Sequence, residues 1–440
     1  MSRSRSSTFR LAAIIAALGV TGAGFASCGD DDDDDDGSGA DTPGVGVLAA
    51  DVERAPLEPA AATQAADAIT AFGLDLYGAA RTGDGNLAVS PYSVAAALSM
   101  TRVGASGATA DEMDDVLHAD VVDDLAVAFG SLDGALATRP GEFPVPDGDP
   151  LELELSFANA LWPQDGFPFE EEFLEELGRH YGAGVNMVDY VADAEGARES
   201  INAWVAGETR DRTPELIPAG VVGAATRLVL TNALYLKAPW EFPFAGNATT
   251  EGEFRLLDGS TVTTPLMSLN EGLGHGTGDG WATVRLPYVG GDLSMTVLVP
   301  DDGRFEEIEA ALDGALLAAI DESISSRTVQ LALPSWEYRT QLNLNEPLRQ
   351  LGMETAFDDR ADFSAMSPES LFISDVVHEV FIAVDEEGTE AAAATAVVMA
   401  ESAAAEPVVL TVDRPFLYWI VDEPTGAVLF LGRVLDPTHE

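Results

Sequence analysis

Apolar residues recur at helical spacing in the first half of the chain and at strand spacing in the second half. One stripe with helical spacing is formed by Ile69, Phe72, Leu76 and Ala80, which predicts an amphipathic helix. The run 227–237 is apolar on both faces, as is typical of a central strand of a sheet. Because helical patterns crowd the first half and strand patterns the second, the chain is predicted to have an α+β fold.

The same periodicities, together with turn residues, predict the remaining elements. Further helices are expected at residues 120–137, 199–209, 305–320 and 348–357. Further strands are expected at residues 151–155, 252–257, 262–267, 281–288, 293–300, 329–333, 336–340, 416–421 and 428–431. The glycine-rich run 274–280 is predicted to be a flexible turn, since it lacks the strand-to-helix setting of a nucleotide-binding loop.

Residues 386–409 separate two strand-like runs, and their composition is unusual for a loop. A loop of this length inside a domain is uncommon and usually functional. Residues 391–394 and 403–405 are all alanine, whereas loops normally contain turn-forming residues. From Thr389 to Val398 there is one charge and neither proline nor glycine. This pattern is typical of an exposed segment that can become a strand.

An inserting strand would place alternate side chains of this segment on opposite faces of a sheet. The two sets are Thr389, Ala391, Ala393 and Thr395 on one face and Glu390, Ala392, Ala394 and Ala396 on the other. The first set is small and uncharged, so it can face a core, whereas a charge there would cost several kcal/mol. Glu390 belongs to the set whose face can be solvated. Gly388 supplies the pivot, because its backbone angles are free to change.

Charge and the scarcity of catalytic motifs narrow the choice of function. The chain has 22 basic and 75 acidic residues and a net charge of −53. This argues against nucleic acid or an anionic membrane surface as a partner, since both are bound through Lys and Arg. The charge serves solubility, with attraction to a cationic partner as the functional alternative. The five histidines lack metal-site spacing and no Gly-x-Ser-x-Gly elbow is present, so we predict neither a metal, a cofactor nor an enzyme.

Residues 1–28 have the layout of a signal peptide. Three arginines precede the apolar run 11–20, which is too short to span a bilayer. The sequence Phe-Ala-Ser-Cys at 25–28 is similar to a bacterial lipobox, although phenylalanine replaces the usual aliphatic residue, and it predicts lipidation of Cys28, the sole cysteine. Ordinary secretion with cleavage nearby is the alternative. Residues 29–64, which include the acidic run 30–36, are predicted to be a solvated tether.

Five stretches in the order of a known family resemble motifs of the serpins, over about residues 65–440. Residues 86–93 (NLAVSPYS) are similar to the family's N-(I/L)-x-x-S-P-x-S motif, and residues 229–240 (VLTNALYLKAPW) resemble its (V/I)-N-A-x-Y-F-K-G-x-W stretch. The other stretches are LGM at 351–353 with ADFS at 361–364, VHEV at 377–380 with EEGTEAAAAT at 386–395, and RPFL at 414–417 with GRVLDP at 432–437. Leu236 and Ala238 stand where the family usually has Phe and Gly.

The resemblance implies one domain, residues 65–440, with three β-sheets, eight or nine helices and an exposed reactive-centre loop. It also implies irreversible inhibition of serine and sometimes cysteine proteases. The protease cleaves one bond of the loop and forms an acyl-enzyme; the cut loop then enters the main sheet as a new strand and carries the protease with it. The expected partner is therefore a target serine protease, bound by a monomer outside the cell or in the cell envelope, with membrane contact only through the N-terminal lipid.

The resemblance further assigns roles to individual positions. The hinge of the loop comprises Glu386, Glu387, Gly388, Thr389, Glu390, Ala391, Ala392, Ala393, Ala394 and Thr395. Positions beneath the point where the sheet parts are matched by Ser90, Ser93, Asn232 and His378, and Trp240 matches the aromatic residue at the top of the opening. The scissile bond falls at Ser402–Ala403, with Met399, Ala400, Glu401 and Ala404 as neighbouring alternatives.

The loop sequence also bears on the target. No Arg or Lys lies between Glu387 and Asp413, which argues against a trypsin-like protease. Small side chains favour an elastase- or subtilisin-like target, and Glu401 leaves a glutamate-specific protease open. The alternative function is that of a non-inhibitory serpin acting as a surface binding protein. Bulky, charged or proline residues at the inserting positions would favour that alternative, and the sequence has none.

Overall fold

The computed structural model describes residues 45–83, 85–145, 148–390 and 406–439. Within these ranges the chain forms nine α-helices: α1 (Pro59–Ala80), α2 (Pro91–Val103), α3 (Gly107–Val116), α4 (Leu125–Leu136), α5 (Glu171–Glu176), α6 (Tyr190–Glu208), α7 (Phe305–Ala310), α8 (Gly314–Ser323) and α9 (Asn345–Gln350). A π-helical turn (Leu177–Tyr181) continues α5, and short 3₁₀ turns lie at Ala119–Val121, Gly246–Ala248 and Thr355–Phe357.

Eighteen strands accompany these helices in the described ranges. In chain order they are β1 (Gly46–Leu48), β2 (Leu87–Val89), β3 (Gly141–Phe143), β4 (Leu151–Phe157), β5 (Ala160–Pro163), β6 (Val185–Met187), β7 (Leu228–Pro239), β8 (Thr250–Arg255), β9 (Thr261–Gly278), β10 (Trp281–Pro287), β11 (Leu293–Pro300), β12 (Ser325–Pro334), β13 (Trp336–Asn343), β14 (Asp375–Val384), β15 (Gly388–Thr389), β16 (Val408–Thr411), β17 (Phe416–Asp422) and β18 (Ala427–Val434).

The strands form three sheets within the described part of the chain. A nine-stranded sheet has the order β16-β12-β9-β10-β11-β17-β18-β2, with β8 paired to β9. A seven-stranded sheet has the order β13-β14-β15-β7-β4-β3, with β5 paired to β7, and β1 and β6 form a separate pair. The prediction of an α+β fold with three sheets and eight or nine helices is confirmed.

The central strand β7 has the environment that its sequence predicts. Along its whole length only Lys237 is partly exposed, and every other residue is buried. It pairs in parallel with β14 and antiparallel with β4 and β5. A strand covered on both faces has no solvent side, which explains the unbroken apolar run.

The folded part of the chain begins before residue 65. Pro59 occupies the first turn of α1, where its missing N–H costs nothing, and the helix buries the predicted stripe from Ile69 to Ala80. Further upstream, β1 pairs antiparallel with β6. The segment 45–64, predicted to belong to the tether, therefore contains a strand and the start of a helix. The side chains of the strand are exposed, and its backbone pairs with β6, which is distant in sequence.

The expectation of a flexible turn at 274–280 was wrong. Strand β9 continues to Gly278, and only residues 279 and 280 turn the chain into β10. A Cβ atom at Gly276 would lie 2.0 Å from the Ser323 hydroxyl, and one at Gly278 would lie 2.2 Å from the Trp281 ring. These glycines admit close neighbours within a strand rather than loosening a loop.

Three predicted helices are shorter than their apolar patterns suggested. The pattern at 120–137 becomes helical only at Leu125, because Asp124 caps α4 by accepting the Val127 N–H. The pattern at 305–320 divides into α7 and α8, where Asp313 caps the second helix. Helix α9 ends at Gln350, and Gly352 then adopts a φ of 116° that excludes further helix.

Candidate functional site

Strands β7 and β14 are joined along part of their length only. Their parallel pairing runs from Asp375 opposite Val229 to Val380 opposite Leu234. Past that point, among the described residues, β14 pairs with β13 on one side and β7 with β4 on the other. The residues 381–383 and 235–237 thus border an opening in the middle of the seven-stranded sheet.

The short strand β15 occupies the far end of this opening. Thr389 is antiparallel to both neighbours, opposite Val384 of β14 and Ala238 of β7. Gly388 lies opposite Pro239. The predicted pivot, Gly388, and the first residue of the predicted inserting segment, Thr389, are therefore already part of the sheet.

A tight turn returns the chain from β14 into β15. The Asp385 carboxylate accepts the N–H groups of Glu387 at 2.9 Å and Gly388 at 3.1 Å. The Asp385 N–H donates to the carbonyl of Gly388 at 3.0 Å. A Cβ atom at Gly388 would lie 2.3 Å from the carbonyl oxygen of Ala238. Glycine is required here for close backbone approach, in addition to the conformational freedom expected of a pivot.

The residues after β7 hold this turn through its backbone. The N–H of Trp240 donates to the carbonyl of Glu387 at 2.9 Å, and the N–H of Phe244 donates to that of Glu386 at 2.8 Å. The Glu386 carboxylate also accepts the Thr249 hydroxyl at 2.5 Å. The hinge residues Glu386 and Glu387 are thus tied to the end of β7 by main-chain hydrogen bonds.

A stacked aromatic pair lies beneath the inserted residues. The ring of Trp240 stacks on that of Tyr288 with centroids 4.5 Å apart, and its Nε1 donates to the Asp385 carbonyl at 3.1 Å. The Thr389 side chain is buried, with its hydroxyl 2.7 Å from that of Tyr288. Burial raises the pKa of Tyr288, so its hydroxyl stays protonated. Thr389 therefore faces the core, as its place in the uncharged set predicts.

Glu390 lies at the point where the chain leaves the sheet. Its backbone φ is 53°, and its N–H donates to the Ala383 carbonyl at 3.1 Å. The carboxylate was expected on a face that can be solvated, but the side chain is only 11% exposed and forms an ion pair with Arg212. The sequence analysis did not identify Arg212 or Tyr288, since both reach the hinge from segments distant along the chain.

Ser90, Asn232 and His378 form one buried hydrogen-bond network under the paired part of β7 and β14. Asn232 and His378 are cross-strand partners. His378 Nε2 accepts the Ser90 N–H at 3.0 Å, so Nδ1 carries the proton and donates to Asn232 Oδ1 at 2.7 Å. Burial lowers the pKa of His378 to about 4. The imidazole is therefore neutral at neutral pH.

Ser93 joins the network indirectly. The Ser90 hydroxyl caps α2 by accepting the Ser93 N–H at 3.2 Å. The Ser93 hydroxyl itself bonds Asn159, which the sequence analysis did not single out. The Nδ2 group of Asn232 has no acceptor among the described residues. The network thus links α2, β7 and β14.

Several predicted site residues lie outside the described residues. They are Cys28, Ala391, Ala392, Ala393, Ala394, Thr395, Ser402 and Ala403. The assignments of lipidation, of the remaining hinge residues and of the scissile bond therefore stay predictions.

The described ranges also bear on two further classes of site, metal centres and membrane spans. Within them, the structure brings together no group of three or more His, Cys, Asp or Glu side chains suited to a metal ion. Over the same residues, each helix is either too short or too polar to cross a bilayer.

The three sheets and the partly filled opening in the seven-stranded sheet define the class of fold to which the chain belongs. Residues 67–437 match the family described as Serpin (serine protease inhibitor). The chain therefore belongs to the serpin family, and the resemblance of its motifs is confirmed.

Individual relatives cover nearly the same part of the chain. Leukocyte elastase inhibitor A of Mus musculus is 35% identical over 387 residues, which span 85% of this chain and 100% of the relative. An uncharacterized serpin-like protein of Thermococcus kodakarensis is 37% identical over 377 residues, which span 84% of this chain and 85% of the relative. This similarity extends over 84–85% of the chain.

Solved structures of the family superpose on the fold. The thermophilic serpin tengpin in its native state gives a TM-score of 0.75 at 25% identity, covering 88% of this chain and 97% of tengpin. Uncleaved ovalbumin gives a TM-score of 0.75 at 25% identity, covering 84% of this chain and 99% of ovalbumin. Thyroxine-binding globulin in complex with thyroxine gives a TM-score of 0.74 at 26% identity, covering 87% of this chain and 100% of the globulin.

Proposed function

We propose that this protein is an irreversible, suicide-substrate inhibitor of serine proteases. A target protease attacks the reactive loop and forms an ester between its catalytic serine and the loop carbonyl. The amino-terminal part of the cut loop then inserts between β7 and β14 and carries the attached protease away. Distortion of the protease active site prevents hydrolysis of the ester.

The observation that carries this proposal is the partly filled opening in the seven-stranded sheet. Thr389 already lies between the two strands, and residues 391–396 are small enough to follow it. Each added strand residue makes backbone hydrogen bonds worth roughly 1 kcal/mol net. About ten such residues give a driving force comparable with the stability of a whole domain.

We propose an elastase- or subtilisin-like target. The segment between Glu387 and Asp413 has no basic residue, and the residues around the proposed Ser402–Ala403 bond are small. Several relatives bear the name leukocyte elastase inhibitor. A small side chain at the scissile bond fits the small primary pocket of an elastase.

The test is incubation of the full chain with an elastase and with a subtilisin, followed by a denaturing gel and mass spectrometry. We expect a covalent complex that survives denaturation and a cut at Ser402–Ala403 or within about two residues of it. Free cleaved protein and fully active protease, with no complex, would overturn the proposal.

Thr389→Arg is the matched variant for the insertion step. It would place a guanidinium in the buried site beside Tyr288, where an unpaired charge costs several kcal/mol. We expect the variant to be cleaved as a substrate with little complex formed, while Thr389→Ser, which keeps the hydroxyl, behaves as wild type. An unchanged yield of complex for Thr389→Arg would contradict insertion.

The alternative is a non-inhibitory serpin that acts as a surface binding protein. The fold alone does not decide between the two functions, because one structural neighbour is named thyroxine-binding globulin. The composition of the hinge favours inhibition. If the same assay gave cleavage without trapping, and cleavage did not stabilise the protein, the binding function would be favoured.

We also propose that the inhibitor acts as a monomer outside the cell or in the cell envelope, held by a lipid on Cys28. The signal-like residues 1–28 and the acidic stretch that follows support this location. Mass spectrometry of the mature N-terminus tests it, since a diacylated Cys28 is expected and an unmodified N-terminus elsewhere would contradict lipidation.

A further inference from the structure

Arg212 contacts the hinge from the connection between α6 and β7. Its guanidinium forms an ion pair with the carboxylate of Glu390. The Glu390 side chain is 11% exposed and the Arg212 side chain is 50% exposed, so the pair lies at the border between the sheet and solvent. It joins the inserted end of the loop to a segment almost 180 residues earlier in the chain.

The backbone on the Arg212 side is held in an uncommon conformation. Arg210 and Asp211, directly before it, have φ values of 52° and 61°. Two successive non-glycine residues in the left-handed region are unfavourable and persist only where their surroundings hold them. The Asp211 N–H donates to the Ala206 carbonyl at 2.7 Å, and the Arg212 N–H donates to that of Thr209 at 2.9 Å. This strained turn fixes the direction in which the Arg212 side chain projects from the backbone.

Arg212 also contacts the strand that borders the opening. Its guanidinium carbon lies 5.4 Å from the centroid of the Phe381 ring, within cation–π range. Phe381 is the first residue of β14 beyond the part that pairs with β7. One side chain therefore bridges Glu390 and β14 at the place where insertion must proceed.

The surroundings of Glu390 are otherwise unfavourable to a negative charge. Burial has the largest effect on the pKa of the Glu390 carboxylate and raises it. Glu337 and Glu154 also raise this pKa, whereas Arg212 lowers it. Without Arg212, a largely buried carboxylate would face two like charges. Glu390 would then be more stable in solvent. If Glu390 left the sheet, the adjacent Thr389 would leave with it.

We propose that Arg212 is a positioning residue for loop insertion. By pairing with Glu390, it holds Gly388 and Thr389 between β7 and β14 before the protease binds. This inference rests on the proposed inhibitory function. After acylation, water can hydrolyse the ester, which gives the loop carboxylate and the free serine hydroxyl of the protease. Insertion competes with this hydrolysis, and a hinge already in register shortens the time that insertion needs.

The first test is the stoichiometry of inhibition, the number of inhibitor molecules consumed for each protease trapped. We expect Arg212→Ala to raise it severalfold, because more acyl-enzyme is hydrolysed before insertion. Arg212→Lys retains the charge and should stay close to wild type. The control is Arg360→Ala, which removes an arginine that is 58% exposed and pairs with Asp358, away from the hinge.

A double-mutant cycle separates the ion pair from other effects of Arg212. Glu390→Gln removes the charge that Arg212 neutralises, so adding Arg212→Ala to Glu390→Gln should change the stoichiometry little. An unchanged stoichiometry in Arg212→Ala would overturn the proposal. So would an equal rise in Arg360→Ala, or a full effect of Arg212→Ala in the Glu390→Gln background.

The second test is hydrogen exchange of the uncleaved protein, which does not depend on inhibition. Amides of residues 385–390 should exchange faster in Arg212→Ala than in wild type or Arg360→Ala, because the hinge leaves the sheet more often. Equal exchange in all three would overturn the positioning role. If the wild type traps no protease, the proposed function fails, and hydrogen exchange still decides whether Arg212 holds the hinge.

Discussion

His378 is buried as a neutral imidazole because both of its ring nitrogens have partners. It accepts the Ser90 N–H and donates to Asn232, so α2, β14 and β7 meet at one side chain. A proton added to Nε2 would remove that acceptor and place a charge in the core. The strands that would separate in the proposed insertion are thus joined by hydrogen bonds that depend on one protonation state.

We predict that His378 makes the native state less stable in weak acid. Its folded pKa is about 4, below the value of about 6.5 for an unfolded chain, so the unfolded state binds the extra proton between these values. The stabilisation is complete above pH 6.5 and is lost as the pH falls towards 4. Between pH 7.5 and pH 5 the loss should be roughly 2 kcal/mol.

Urea unfolding of the wild type and of His378→Gln at these two pH values checks this prediction. Glutamine can still accept from Ser90 and donate to Asn232, but it does not titrate. From pH 7.5 to pH 5, the free energy of unfolding should fall by roughly 2 kcal/mol more in the wild type than in the variant. Equal losses in both proteins would show that other groups account for the pH dependence.

At the scale of elements, the segment before α1 behaves as part of the folded domain. Strand β1 extends the β6 edge, the Ala55 N–H donates to the Arg179 carbonyl at 2.7 Å, and Arg54 pairs with Asp133 of α4. A Cβ atom at Gly184 would lie 2.5 Å from the Leu48 carbonyl oxygen, so the surface beneath the segment is shaped to receive it.

We predict that removing this segment destabilises the protein. A chain that starts at residue 59 should have a lower midpoint in thermal unfolding than one that starts at residue 45, with a loss of about 1–3 kcal/mol from several hydrogen bonds and the β1–β6 pairing. The chain that starts at residue 45 should match a longer chain that starts at residue 29. Equal midpoints for all three would mean that residues 45–58 contribute nothing to stability.

Element boundaries show where local pattern reaches its limit. The apolar periodicity at 120–137 and 305–320 identifies helical regions, but the caps at Asp124 and Asp313 decide where α4 and α8 begin. Glycines at 274–278 suggest a loop, yet they lie in β9 because Ser323 and Trp281 pack against them. In each case a contact or a cap overrides the average propensity of the segment.

For the whole molecule, the opening between β7 and β14 means that the sheet lacks a strand that its own chain can supply. The pairing of the two strands stops at Val380 and Leu234, and β15 fills only the far end of the gap. Inserting the following residues would add backbone pairing on both sides. The native state is therefore expected to be less stable than the cleaved, inserted state.

We predict that cleavage in the loop raises the thermal stability of the protein sharply. Calorimetry of the intact and nicked forms, with the cut confirmed by mass spectrometry, measures the difference. Thr389→Arg provides the control, since its cleaved form should gain much less. A nicked wild type that melts no higher than the intact protein would contradict the insertion mechanism.

The sequence by itself determined the features that depend on composition and on local order. The apolar run 227–237 predicts a strand covered on both faces, the alternation after Gly388 predicts a segment able to enter a sheet, and the motifs in order predict the family. Only the tertiary structure decided which residues support the hinge. Tyr288 under Thr389 and Arg212 beside Glu390 come from segments about 100 and 180 residues away, and such contacts depend on packing that no local pattern encodes.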